Sequence, residues 1–185
     1  MRELILGGQK SGKSRTAEAR AVRWLGTAEH EATLVATAVA GDEEMTARIA
    51  RHRQERAVRV PKLNTVEQAD ALPEWLAEWS RPHRLIIVDC LTLWLTQSLM
   101  PQHGEPLADA RVLAQIDALA VAVRDVPGPL ILVSNEIGLG VSPVSAEARR
   151  FIDVLGILHQ KIAAVCDRVT LMVAGCELTI RGVST

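Results

Sequence analysis

A chain of 185 residues is the size of one folded unit, and with 48% apolar and 23% charged side chains it fits neither a disordered nor a fibrous class. Its 21 Lys and Arg face 22 Asp and Glu, so no bulk field of one sign draws in nucleic acid or an anionic membrane. No apolar run reaches the ~18 residues of a membrane span, and the start, MRELILGGQKSGKS, lacks a secretory signal, so a cytoplasmic protein without a membrane span is expected.

The first predicted strand, 3–6, runs into Gly7-Gly8-Gln9-Lys10-Ser11-Gly12-Lys13-Ser14 and a predicted helix over 13–25. The segment satisfies G-x-x-x-x-G-K-[ST] in the required strand-to-helix context. Its glycines let successive backbone N–H groups turn inward, and the helix start adds partial positive charge toward a phosphate. In that reading Lys13 reaches the β/γ-phosphates and the Ser14 hydroxyl ligates Mg²⁺.

A second strand is predicted at 33–37, then a helix at 43–56 that opens on Asp42-Glu43-Glu44 and carries Arg51, Arg53 and Arg56 in its last turns, as the helix dipole favours. Met45, Ile49, His52 and Arg56 share one stripe, with Arg48 four residues from His52. Positive neighbours disfavour imidazolium, which keeps the ring neutral and nucleophilic, and the same arginines can hold a triphosphate. From Arg48 to Lys62 six basic residues stand against one acid, Glu55, so a solvated basic face with a structural histidine is the other reading of this pattern.

Further on, the pattern predicts a helix at 66–79, a strand at 84–90, helices at 91–99 and 108–126, a strand at 130–134, a helix at 146–166, and strands at 168–174 and 178–181 about the turn Gly175-Cys176-Glu177. Loops with Pro and Gly fall at 100–106 and 138–143. Runs such as Leu85-Ile86-Ile87-Val88 suit strands buried on both faces. The expected fold is α/β, a mostly parallel sheet with helices on both faces and one antiparallel edge strand.

Asp89 follows the 85–88 run, where an unpaired charge is costly, so it meets a metal ion or its water, or caps the next helix, two compatible roles. Glu136 ends the next buried strand and either joins that site or is solvated in its loop. Cys90, Cys166 and Cys176 lack C-x-x-C spacing and read as small buried hydrophobes. Trp24, Trp75, Trp79 and Trp94 fall in helical patterns and read as packing residues. His30, His83, His103 and His159 read as surface or packing residues. With no tyrosine and a single phenylalanine, Phe151, aromatic platforms for single-stranded nucleic acid are not expected.

Taken in order, the phosphate motif, Val35-Ala36-Thr37-Ala38, Asp42-Glu43-Glu44-Met45 with Arg48-Ile49, His52-Arg53 with Arg56, Val88-Asp89-Cys90-Leu91-Thr92, Ser134-Asn135-Glu136-Ile137-Gly138-Leu139-Gly140 and Val173-Ala174-Gly175 resemble the bifunctional adenosylcobinamide kinase/adenosylcobinamide-phosphate guanylyltransferase family of the cobalamin pathway. The resemblance spans nearly the whole chain. It implies one P-loop (RecA-like) domain over 1–185, phosphorylation of adenosylcobinamide with ATP or GTP, and then transfer of GMP from GTP to give adenosylcobinamide-GDP. His52, in an H-R-x-x-R element, would carry GMP covalently. Gly7, Gly8, Gln9, Lys10, Ser11, Gly12, Lys13, Ser14, Ala38, Val39, Ala40, Arg53, Gln54, Glu55, Arg56, Glu67 and Asp89 would line the nucleotide site, with Ser14 and Asp89 on Mg²⁺. The partners implied are a corrinoid small molecule and nucleotides, and the expected assembly is a homo-oligomer, a trimer by family resemblance.

The chain departs from the family's pattern at Lys10, usually arginine, at Ala57, usually proline, at Gln97-Ser98, where Asn is usual, and at His159, also usually Asn. The alternative enzyme is a P-loop small-molecule kinase without guanylyl transfer. A GTP-driven switch lacks the N-K-x-D element, and a nucleic-acid-binding role for residues 48–62 is disfavoured by the neutral charge and the missing aromatics.

Overall fold

The structure is a computed structural model and describes residues 1–38, 43–68 and 70–182; within helix α2 the side chains of residues 43–45, 48 and 52 lie outside that description. Its strands are β1 (Arg2–Gly7), β2 (Glu31–Ala36), β3 (Leu63–Glu67), β4 (Arg84–Asp89), β5 (Leu130–Asn135), β6 (Arg168–Val173) and β7 (Cys176–Arg181). Its helices are α1 (Lys13–Trp24), α2 (Glu43–Arg59), α3 (Leu72–Trp79), α4 (Leu91–Leu99), α5 (Asp109–Asp125) and α6 (Ala146–Val165). No helix among the described residues is long and apolar enough to cross a membrane.

The strands form one sheet in the order β3-β2-β4-β5-β1-β6-β7. Neighbours pair in parallel from β3 to β6, and β6 pairs with β7 antiparallel. Alternation along each central strand divides the core. Leu4, Val35, Ile86, Val88, Leu130 and Leu132 enter one cluster with buried residues of α3, α4, α5 and α6. Ile5, Leu34, Leu85, Ile87, Ile131 and Val133 enter the other with Ala17 and Ala21 of α1 and with Val60. A strand buried on both faces must be apolar at both parities, which is why these segments read as unbroken runs.

The helix expected at 66–79 is corrected. Residues 63–67 form β3, and α3 begins only at Leu72, with Pro73 in its first turn. Proline is tolerated there and would have broken a helix running through it. β3 escaped notice because it is an edge strand whose Asn64, Val66 and Glu67 are exposed, so no apolar run marks it. The last turn is also shorter than expected. Only Ala174 and Gly175, both at positive φ, separate β6 from β7, as in a tight two-residue hairpin. α2 runs on past Arg56 to Arg59, because Ala57 is compatible with helix and the chain does not meet proline until Pro61.

Candidate active site

The C-terminal ends of the parallel strands share one rim, the usual ligand edge of an open α/β sheet. Register places Ala36 opposite both Glu67 and Asp89, and Gly7 opposite Asn135. β5 lies between the strand that ends at Asp89 and the strand that ends at Gly7.

The loop after β1 is a cradle with little slack. A β-carbon at Gly7, whose φ is 153°, would stand 2.5 Å from the Met172 carbonyl and 2.6 Å from Ser11 Oγ, so only glycine fits. Ser11 carbonyl accepts from the Gly175 amide at 3.0 Å, which docks the β6–β7 turn against the loop. Gly12 takes the N-cap of α1 in the left-handed region, with neither a side-chain cap nor an acid in the first turn. The first N–H groups of α1 are therefore free of side-chain caps among the described residues, an arrangement that suits an anion. Ser11 Oγ is buried without a hydrogen-bond partner among the described residues, whereas a buried hydroxyl ordinarily has one.

Lys13 is 7% exposed. Its Nζ donates to the carbonyls of Gly7 at 2.9 Å and Gly8 at 2.7 Å. Burial draws its ammonium below the ordinary value, against the opposing pull of Cys90 and Asp89. Ser14 Oγ donates to Asp89 Oδ2 at 3.1 Å. Asp89 ends β4 and the N-cap of α4 falls on Cys90, so the capping role for Asp89 does not hold. A hydroxyl beside a carboxylate is a hard-oxygen pair suited to Mg²⁺. No group of three His, Cys, Asp or Glu side chains among the described residues converges on a metal, so an ion held here would draw its remaining ligands from phosphate oxygens and water. The Cys90 thiol is pushed up to about 11, chiefly by burial and then by Asp89, which makes it a packing group rather than a nucleophile.

Thr37 locks the end of β2 to the end of β4. Its hydroxyl donates to the Cys90 carbonyl at 2.6 Å and accepts from the Cys90 amide at 3.0 Å. Ala38, which follows it, is described and half-buried, whereas Val39 and Ala40 lie outside the described residues. His52 belongs to α2, but its side chain and that of Arg48 also lie outside the description. Arg53 pairs with Glu67 at 3.0 Å, both half-exposed, so two residues expected at the nucleotide site meet each other. Gln54 and Glu55 are exposed.

Arg56 departs from a solvated basic face. It is 6% exposed, with Nε 3.6 Å from Glu18 Oε1 and Nη1 3.4 Å from Thr65 Oγ1. Arg59 grips the same Glu18 through two nitrogens, at 2.7 and 3.2 Å. Glu18 stands one turn beyond Ser14 on α1, so this carboxylate fixes the end of the histidine helix beside the phosphate helix. Sequence reading passed over Glu18 because it sits on an otherwise ordinary amphipathic helix.

A hydrogen-bonded chain was also missed. The Asn135 amide donates to Thr92 Oγ1 at 2.8 Å, Thr92 Oγ1 meets Ser134 Oγ at 3.0 Å, Ser134 Oγ meets His159 Nε2 at 2.8 Å, and His159 Nδ1 lies 3.4 Å from Glu136 Oε2. His159 is a packing residue as expected, 7% exposed. It lies among Leu155, Leu158 and Ile162, and a polar ring in that apolar stripe was the signal that a partner exists.

The family model described as cobinamide kinase / cobinamide phosphate guanyltransferase matches residues 3–180. The chain is 44% identical over 182 residues to the bifunctional adenosylcobalamin biosynthesis protein CobP of Pseudomonas aeruginosa, covering 98% of each. It is 33% identical over 186 residues to the bifunctional adenosylcobalamin biosynthesis protein CobU of Escherichia coli, covering 96% of this chain and 98% of that protein. The CobU of Salmonella typhimurium is 31% identical, with the same coverage. With the family model matching residues 3–180 and relatives 44% and 33% identical aligned over 98% and 96% of its length, the chain belongs to the cobinamide kinase / cobinamide phosphate guanyltransferase family of enzymes.

Proposed function

We propose that the one unit over residues 1–185 performs both steps, phosphorylating the aminopropanol hydroxyl of adenosylcobinamide with ATP or GTP and then transferring GMP from GTP to the phosphate it has made. The observation that carries the kinase step is the pairing of Ser14 with Asp89 at 3.1 Å beside a Lys13 ammonium held over the cradle. The loop's N–H groups and Lys13 hold the β- and γ-phosphates, Lys13 leaving its two carbonyls for phosphate oxygens that offer full charge. Ser14 and Asp89 would hold Mg²⁺. That ion, when bound, neutralises charge on the bridging and terminal phosphate oxygens.

For guanylyl transfer, His52 attacks the α-phosphorus of GTP, the bond to pyrophosphate breaks, and the phosphoramide so formed passes GMP to the corrinoid phosphate. Support comes from the H-R-x-x-R element on α2 and from Glu18, which ties the end of that helix to α1. Arg56, already buried against Glu18, serves as an anchor for the helix, and Arg53, paired with Glu67 at the rim, is a cation that a nucleotide can meet. The site works as a cytoplasmic enzyme's would, on soluble nucleotides, and a trimer is the assembly proposed.

The deciding experiment is incubation with GTP labelled at the α-phosphate. The expected result is label that stays on denatured protein, survives base and is lost in acid, and is absent from His52→Ala while cobinamide phosphorylation persists. No labelling of the unmodified protein leaves a kinase alone.

A further inference from the structure

The hydrogen-bonded chain from Asn135 to Glu136 has a direction. A backbone amide can only donate, so Thr92 Oγ1 accepts from Asn135, and either hydroxyl can donate in the contact of Thr92 with Ser134. A carboxylate can only accept, so the proton of the neutral His159 ring sits on Nδ1, facing Glu136 Oε2 at 3.4 Å, and the bare Nε2 accepts from Ser134 Oγ at 2.8 Å. Burial holds the ring below its ordinary value against the opposing effect of Glu136, consistent with this neutral form. The other carboxylate oxygen, Oε1, accepts from the Gly138 amide at 2.6 Å. Glu136 is thus oriented from both sides, yet its side chain remains 19% exposed.

Its place is set by the cradle. The Gly7 carbonyl accepts from the Glu136 amide at 2.9 Å and from Lys13 Nζ at 2.9 Å, so one oxygen links this residue to the phosphate lysine. β5 lies between the strand carrying Asp89 and the strand carrying the cradle, and Glu136 extends beyond its end. A partly exposed carboxylate locked in orientation at the mouth of a phosphate site is more than a loop support needs. Each carboxylate oxygen has a second lone pair for a further donor.

We infer that Glu136 is the general base of the phosphoryl-transfer step and that His159 positions it. The inference rests on the kinase reading proposed above. As the acceptor oxygen forms its bond to the γ-phosphorus, the acceptor O–H bond breaks and its proton passes to Glu136. The bond from the γ-phosphorus to the bridging oxygen breaks, and the electron pair leaves with the nucleoside diphosphate. Glu136 then returns the proton to solvent through its exposed edge. In guanylyl transfer the acceptor is a phosphate oxygen with no proton to remove, so Glu136 has no such work there.

The test measures the two activities separately in each variant, with cobinamide phosphate supplied for the second. Glu136→Gln is expected to lower kcat for phosphorylation about 100-fold or more, with KM changed less than about threefold. Guanylyl transfer is expected to stay within about twofold of the unmodified rate. His159→Asn keeps a donor where Nδ1 stood and should hold phosphorylation within about threefold, whereas His159→Gln keeps the contact to Ser134, loses the donor to Glu136 and should lose about tenfold in kcat. Phosphorylation by Glu136→Gln within about threefold of normal, or equal loss of both activities, overturns the base assignment. Equal loss in His159→Asn and His159→Gln overturns the positioning role. An unmodified protein unable to phosphorylate cobinamide with either nucleotide defeats the kinase reading itself.

Discussion

Ser14 Oγ stands 3.1 Å from Asp89 Oδ2, joining the first turn of α1 to the end of β4 across the strand between them. An amide at position 89 would keep the shape and accept the same hydroxyl, but it would not attract a cation. Hydrogen bonds and contacts involving a full charge exceed neutral ones by about 1.4 kcal/mol, a factor of about ten. Asp89→Asn is therefore expected to raise the Mg²⁺ concentration for half-maximal phosphorylation about tenfold while leaving the unfolding midpoint near normal. Titration of activity with magnesium checks this, and an unchanged magnesium curve would remove Asp89 from the metal site.

Lys13 holds its ammonium against two carbonyls of its own loop, and those bonds are weaker than the ones a phosphate offers. Loss of a charged hydrogen bond is worth about 1.5–3 kcal/mol, or about 10- to 150-fold, and charge developing in the transition state adds to that. Lys13→Ala should lower kcat/KM for phosphorylation by at least that range. A rate within about twofold of normal would show that the cradle is not where the γ-phosphoryl group is held.

The parts of the fold and the site that could be read from sequence have a common physical character. Central strands such as Leu85-Ile86-Ile87-Val88 are buried on both faces, so composition alone reveals them, and the glycine pattern from Gly7 to Gly12 reflects backbone conformations few other residues adopt. β3 was hidden because an edge strand is held by backbone pairing to β2, which leaves no mark on side-chain pattern. Asp89 could be read because a carboxylate after four apolar residues demands a partner. Glu18 and His159 could not be paired in advance, because their partners, Arg56 and Arg59 in one case and Ser134 and Glu136 in the other, lie 38, 41, 25 and 23 residues away and meet only once the sheet is assembled.

Glu3 is fully buried on β1 and bound by Arg20 and Arg168, each at 3.2 Å, and by Thr170 Oγ1 at 2.8 Å. Glu177 on β7 shares both arginines, so the group ties α1, β1, β6 and β7 together behind the cradle. Removing one member of a buried ionic group costs about 3–5 kcal/mol where the charge left behind is uncompensated, and Glu177, itself 35% exposed, compensates Arg20 and Arg168 only in part. Glu3→Ala is expected to lose that much stability in urea unfolding, with Glu3→Gln losing less because it can still accept from Thr170. A loss under about 1 kcal/mol in Glu3→Ala would mean that Glu177 alone satisfies both arginines.

His159 gives the fold a dependence on acidity whose sign follows from its burial. The ring's value is lowered from the ordinary 6.5, with Glu136 the charged group that opposes the shift and Ser134 the neutral partner on the other nitrogen. Between the folded value and 6.5 the unfolded chain binds a proton that the folded chain does not. Stability therefore falls as pH drops below 6.5 and levels off once the folded ring is also protonated. His159→Asn has no proton to bind in either state, so its unfolding free energy should decline less between about pH 7.5 and 5.5 than that of the unmodified protein. Urea unfolding at a series of pH values measures both slopes. Parallel curves for the two proteins would show that the ring titrates alike in the folded and unfolded chain, and that Glu136 fully offsets the burial of His159.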